Sequence, residues 1–136
     1  MQIARRMIPL ALAYFAGVFA LAFCVGVGRT LWLAPRVGAF AAVMAELPVI
    51  LAASWWWSRR LLSRHPLAAR TDALVMGAAA FALLMAAEAA LAVLLGGSVT
   101  GWLSGLATPA GMLGLAGQLG FAVMPWAVWR GAVRSR

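Results

Sequence analysis

A chain of 136 residues that is 65% hydrophobic, with a mean hydropathy of +0.97 and only 10% charged residues, has too little polar surface to cover itself in water. Lys+Arg total 11 against Asp+Glu 3, a formal charge of +8, but every basic residue is an arginine in a short cluster between apolar runs. No groove-reading motif accompanies them, which argues against a nucleic-acid partner. A single Cys24 and a single His65 exclude an internal disulfide and leave no ligand cluster, so neither a metal nor another cofactor is expected.

Taken in chain order, Arg5 and Arg6 precede the first apolar stretch, 8–28. Its length suits a membrane span better than the shorter core of a cleaved signal. Leu21-Ala22-Phe23-Cys24 is not expected to be a lipoprotein cleavage site, because bulky Phe23 stands where a small residue is required. Pro35 then marks a connection ahead of the second stretch, 38–57, which contains Glu46 and Pro48 and closes on Trp55, Trp56 and Trp57. A central loop rich in arginine follows, with Arg59, Arg60, Arg64, Arg70 and the breaker Pro66. Asp72 is placed to N-cap the third stretch, 73–95. Gly96-Gly97 ends that stretch, 96–108 is free of charge, and Pro109 opens the fourth, 109–129, at a position that tolerates proline.

Each stretch is long enough to cross about 30 Å of hydrocarbon, where backbone groups must be satisfied internally. The expected fold is therefore an all-α membrane protein, a bundle of four transmembrane helices forming one domain over 1–136. Orientation follows from arginine, which cytoplasmic loops retain. Arg5, Arg6, Arg59, Arg60, Arg64, Arg70, Arg130, Arg134 and Arg136 fall on one side, leaving Arg29 and Arg36 for the other. Both termini are thus expected on the cytoplasmic side of a multi-pass membrane protein. Tryptophans favour the headgroup region. Trp32 and Trp102 are expected at the outer interface, and Trp55, Trp56 and Trp57 are expected to anchor the inner one beside Arg59, Arg60 and Arg64, where anionic lipids are the natural partners. Small residues at helical spacing, such as Ala13-x-x-x-Gly17 and Ala110-x-x-x-Gly114, let helices approach closely. Their partner is either another helix of this chain, a second copy, or a larger membrane complex.

A charge inside a span costs about 2.5 to 3.5 kcal/mol on insertion scales, so Glu46 and Glu88 need a partner or a purpose. Counted from the outer ends of their spans, Glu46, Glu88 and neutral Gln118 all lie about 10 to 14 Å deep. Arg29, at the end of the first span, can reach in to either acid. Two readings follow. The layer is either an internal polar network that fixes helix register, or a proton-exchanging or cation-binding path in which Pro48 frees a backbone carbonyl near Glu46. An enzyme is the weaker reading: Ser63, His65 and Asp72 share a loop without nucleophile spacing, so no catalytic residue is expected.

Residues 14–29, from Tyr14-Phe15 to Gly28-Arg29, together with Ala34-Pro35-Arg36-Val37-Gly38, Ala45-Glu46-Leu47-Pro48, 76–88 and 118–125, resemble a family of small four-span proteobacterial inner-membrane proteins. The resemblance implies a multi-pass protein of a bacterial inner (plasma) membrane in which Arg29, Glu46, Pro48 and Glu88 belong to a family pattern, and it carries over no catalytic residue. Together these readings predict a non-enzymatic accessory subunit or self-associating scaffold, with a proton-coupled small-solute or ion transporter or channel through Glu46 and Glu88 as the alternative.

Overall fold

The computed structural model describes residues 2–135; Arg136, one of the nine arginines assigned to the inner side, lies outside them. Helix α1 (Gln2–Gly28) passes through a five-residue π turn (Arg29–Leu33) into the short α2 (Ala34–Val37). Then follow α3 (Ala39–Arg64), α4 (Arg70–Leu94), α5 (Val99–Leu106) and α6 (Pro109–Arg134). Four of the resulting rods are long and apolar enough to cross a membrane, the first of them running unbroken over Arg5–Val37.

Several boundaries differ from those expected, each for a local reason. Residues 29–37 are not a loop. Ala34 N–H reaches back five residues to the Arg29 carbonyl, and the wider turn lets Pro35 sit in the first turn of α2, where its missing donor costs nothing. Gly38 alone then reverses the chain, at φ 88°, a conformation natural to glycine. The second rod does not stop at Trp57. Ser54, Ser58, Leu61 and Leu62 continue one buried face, so Arg59, Arg60 and Arg64 ride on helix and the arginine-rich loop shrinks to His65 through Ala69. Asp72 is the third residue of α4, not its cap: its carboxylate accepts from Ala69 N–H at 3.3 Å, and Ala69 offers Asp72 N–H only its carbonyl. The charge-free segment 96–108 contains α5, whose N-terminus is capped by Ser98 Oγ accepting from Gly101 N–H at 3.0 Å. Thr108 caps α6 in the same way, through Gly111 N–H at 3.1 Å.

The rods are not ranked round the bundle in chain order. α1 packs on α3 and α4, α6 packs on the same two, and α1 faces α6 across the diagonal. The core between them is built from Ala11, Tyr14 and Val18 on α1, Leu61 and Leu62 on α3, Met76, Ala80 and Leu84 on α4, and Phe121 and Val128 on α6. Small residues permit the tightest approaches. A Cβ at Gly77 would fall on the Ala122 carbonyl, so α4 and α6 touch backbone to backbone there. The outside is apolar along its whole length, with Leu12, Phe23, Leu31, Val49, Leu94, Leu103 and Leu119 among the exposed side chains.

Candidate functional site: a polar-headed cavity

Near the Gly38 end, four helices contribute to one cavity of about 150 Å³. Its polar end is formed by Arg29, Glu46, Glu88 and Gln118, and its walls include Phe15, Phe19, Leu47, Ile50 and Phe121. The π turn that begins at Arg29 sets its guanidinium against α3, where Nε forms an ion pair with Glu46 Oε2. Opposite, Gln118 Nε2 of α6 donates to Glu88 Oε1 of α4 at 2.6 Å. Trp102 on α5 approaches the same carboxyl, so this indole reaches inward from the end of the bundle. Gln118 Oε1 is buried and accepts no hydrogen bond among the described residues.

Glycine shapes the space. A Cβ at Gly117 would run into Leu47 Cδ2, so α3 and α6 close beneath the polar end, whereas a Cβ at Gly114 would meet nothing within 4 Å and lies at the cavity wall. Gly114 is therefore not the helix-contact residue that its small-residue spacing predicts. Pro48 has no part in the cavity either. The carbonyl it frees belongs to Met44, and both residues are exposed, two positions and about 200° round the helix from Glu46. The kink faces outward.

A second polar cluster, which counting charges and span lengths does not reveal, lies deeper along the bundle. Tyr14 is fully buried, its ring stacked on Phe121 with centroids 4.5 Å apart and planes 7° apart. Its hydroxyl donates to the Phe121 carbonyl at 2.7 Å. That carbonyl needs an outside donor because its helical partner, four residues on, is Pro125. Tyr14 thus replaces the bond that Pro125 removes, across the diagonal of the bundle. Fully buried Ser54 and Ser58, one turn apart on α3, flank the tyrosine hydroxyl, and Ser54 Oγ also donates to Ile50 O at 2.7 Å. The visible signal was the pairing of in-helix Pro125 with hydroxyls at helical spacing. Tyr14→Phe should cost about 1 to 3 kcal/mol by stranding a buried acceptor. Restoring an N–H with Pro125→Ala should make the double variant at least about 1 kcal/mol more stable than the sum of the single losses, read by thermal unfolding in detergent. Strictly additive losses reject the substitution of one bond for the other.

The three consecutive tryptophans do not act alike. Trp55 and Trp56 are exposed, and Arg59 lies over the Trp55 ring at 5.3 Å. Trp57 turns inward and its Nε1 donates to the Ala13 carbonyl at 2.9 Å, which is possible because Gly17 has no Cβ to collide with the indole. It is a helix-to-helix tie, not an interface anchor. Arg60 and Arg64 are exposed on the last turns of α3.

No protein-family model, curated protein or solved structure matches this chain. What the cavity can do rests on its own chemistry: one guanidinium, two carboxyls and one amide at the head of a largely aromatic and aliphatic chamber.

Proposed function

We propose that this chain is a small multi-pass protein of the bacterial inner membrane, both termini cytoplasmic, whose cavity binds a small cationic solute in exchange for a proton, as a proton-coupled carrier does. The membrane assignment is supported by four long apolar helices whose outward faces carry large apolar side chains, a surface that lipid solvates and water does not. The orientation is supported by the arginines at the end that carries the termini and the 65–69 connection. Reporter fusions after Arg134 should read cytoplasmic and a fusion at Gly101 the opposite side; a C-terminus on the same side as Gly101 overturns the orientation.

The observation that carries the functional reading is a charge count. Two acids face one cation on this cavity: Arg29 is paired directly with Glu46, whereas Glu88 is hydrogen-bonded to neutral Gln118, lies near the Trp102 indole, and feels Arg29 only through space and against the charge of Glu46. An unmatched carboxylate in a medium of low dielectric takes either a proton or a cation, and exchanging the two is the elementary step of proton-coupled binding. The chamber suits a small body: an apolar cavity of about 150 Å³ takes up benzene, and the rings of Phe15, Phe19 and Phe121 are among its lining, the kind of wall that favours an organic cation. A dry, fully packed polar layer would have favoured the scaffold reading instead. In liposomes, Glu88→Gln should keep the thermal stability of the parent and lose proton movement driven by a methylammonium gradient. A parent protein that moves no protons, or a variant that moves them equally well, leaves the scaffold.

A further inference from the structure

At the opposite end of the bundle, a groove of about 960 Å³ runs between the start of α1 and the junction of α3 with α4. We infer that it is a binding site for one anionic phospholipid, holding the phosphate of the headgroup against Arg5, Arg6, Arg64 and His65. The inference rests on reading the four helices as membrane spans, and on observations independent of the cavity.

The first observation is shape combined with chemistry. The arginines stand at one end, and from there the lining becomes apolar along α1 through Met7, Leu10 and Ala13, with Leu61 and Leu67 across from them. Arg5 to Ala13 spans about 12 Å of helix. A soluble phosphate would use only the rim of such a groove, whereas a phospholipid uses both parts, its phosphate above and the start of its acyl chains below. The volume lies at the upper end of the range for small-ligand sites.

The second observation is how the arginines of this end are occupied. Arg59 lies over Trp55, and Arg70 and Arg130 both lie over Trp126, at 5.7 and 5.5 Å. Those cations are held by indoles. The three that line the groove have neither an indole nor a carboxylate partner among the described residues. Asp72, the one acid on the groove, is turned to the backbone N–H of Ala69. The groove therefore gathers three arginines without an indole or carboxylate partner among the described residues, next to Arg59, Arg70 and Arg130, whose cations lie over indoles; Arg60 and Arg134 are likewise unpartnered there but do not line the groove. Arginine's planar fork of donors suits phosphate oxygens, and each arginine near an anionic headgroup contributes about fivefold in affinity.

The test uses the full chain purified in detergent, with lipid retention read by native mass spectrometry. Phosphatidylglycerol, phosphatidylcholine and inorganic phosphate are the probes. One phosphatidylglycerol should be retained per chain in preference to phosphatidylcholine, and Arg5→Gln, Arg6→Gln and Arg64→Gln combined should weaken retention about 100-fold. Lysine at the same three positions should restore most of it, and Arg59→Gln with Arg130→Gln should change it less than about threefold. If the triple variant does not fold, exposed Arg64→Gln alone decides, with about a fivefold loss expected. Equal loss in both variant sets would mean diffuse attraction to the belt, equal retention of phosphatidylcholine would mean a merely apolar groove, and displacement by inorganic phosphate would mean a soluble ligand. Each of these overturns the lipid site. Carbonate extraction of native membranes separates the two levels: release of the chain overturns the membrane reading as well, while retention without lipid preference overturns this inference only.

Discussion

Gly77→Ala should destabilise the bundle by about 3 kcal/mol, although it adds a single methyl group and improves intrinsic helix propensity. The methyl has nowhere to go. It would be built onto the Ala122 carbonyl of α6, and the obstacle is backbone, which cannot rotate aside as the end of a side chain does. Either α4 and α6 move apart, loosening the Met76, Ala80 and Phe121 core on both sides of the contact, or a helix bends. Lipid tails are as apolar as the core, so the bundle gains little by burying apolar surface and depends on close packing to stay together. The same substitution at Gly114, where a Cβ meets nothing within 4 Å, should change stability by less than about 0.5 kcal/mol or raise it slightly. Thermal unfolding of the two variants in one detergent makes the comparison. Equal stabilities would mean that the α4–α6 contact yields easily and does not limit the fold.

That contrast shows what a sequence of this kind makes legible. Length and apolar composition announce four spans, because crossing hydrocarbon sets a minimum length that few other structures need. Depth is nearly as readable: counting residues from span ends puts Glu46, Glu88 and Gln118 at one level, and these residues line one cavity. Facing is not readable. Gly77 and Gly114 look alike in small-residue patterns, and only the ring order, with α1 and α6 on a diagonal, decides which one meets a neighbour. Three adjacent tryptophans point about 100° apart on a helix, so at most one can turn inward, and which one depends on where Gly17 of another helix leaves room. Helix ends depart from the sequence pattern where a local rule is overruled: the π turn at Arg29 absorbs Pro35, and Arg59, Arg60 and Arg64 stay helical because Leu61 and Leu62 have a core to join. The Tyr14 cluster went unseen because hydroxyl groups enter a span at little cost, so they raise no alarm until the carbonyl freed by Pro125 gives one of them a task.

The polar end of the cavity makes the last expectation specific. Arg29→Ala should destabilise the protein by about 2 to 3 kcal/mol, less than the 3 to 5 kcal/mol typical of a fully buried pair because the two side chains keep 30% and 15% of their exposure. Most of that loss is not the attraction itself. It is the cost of leaving the Glu46 carboxylate without its cation, so removing the charge as well should recover much of it: Arg29→Ala with Glu46→Gln should be about 1 to 2 kcal/mol more stable than Arg29→Ala alone. Glu88→Gln in the same background should recover little, since the Glu88 carboxyl is bonded to Gln118 and not to the guanidinium. Unfolding of the three single variants and the two doubles, compared as cycles, separates these outcomes. Rescue by Glu88→Gln in place of Glu46→Gln would assign Arg29 to the other acid and leave Glu46 as the unmatched carboxyl, moving the proposed exchange step from α4 to α3. Equal rescue by both would mean that one cation is shared between two acids, and the charge count behind a single exchanging carboxyl would no longer hold.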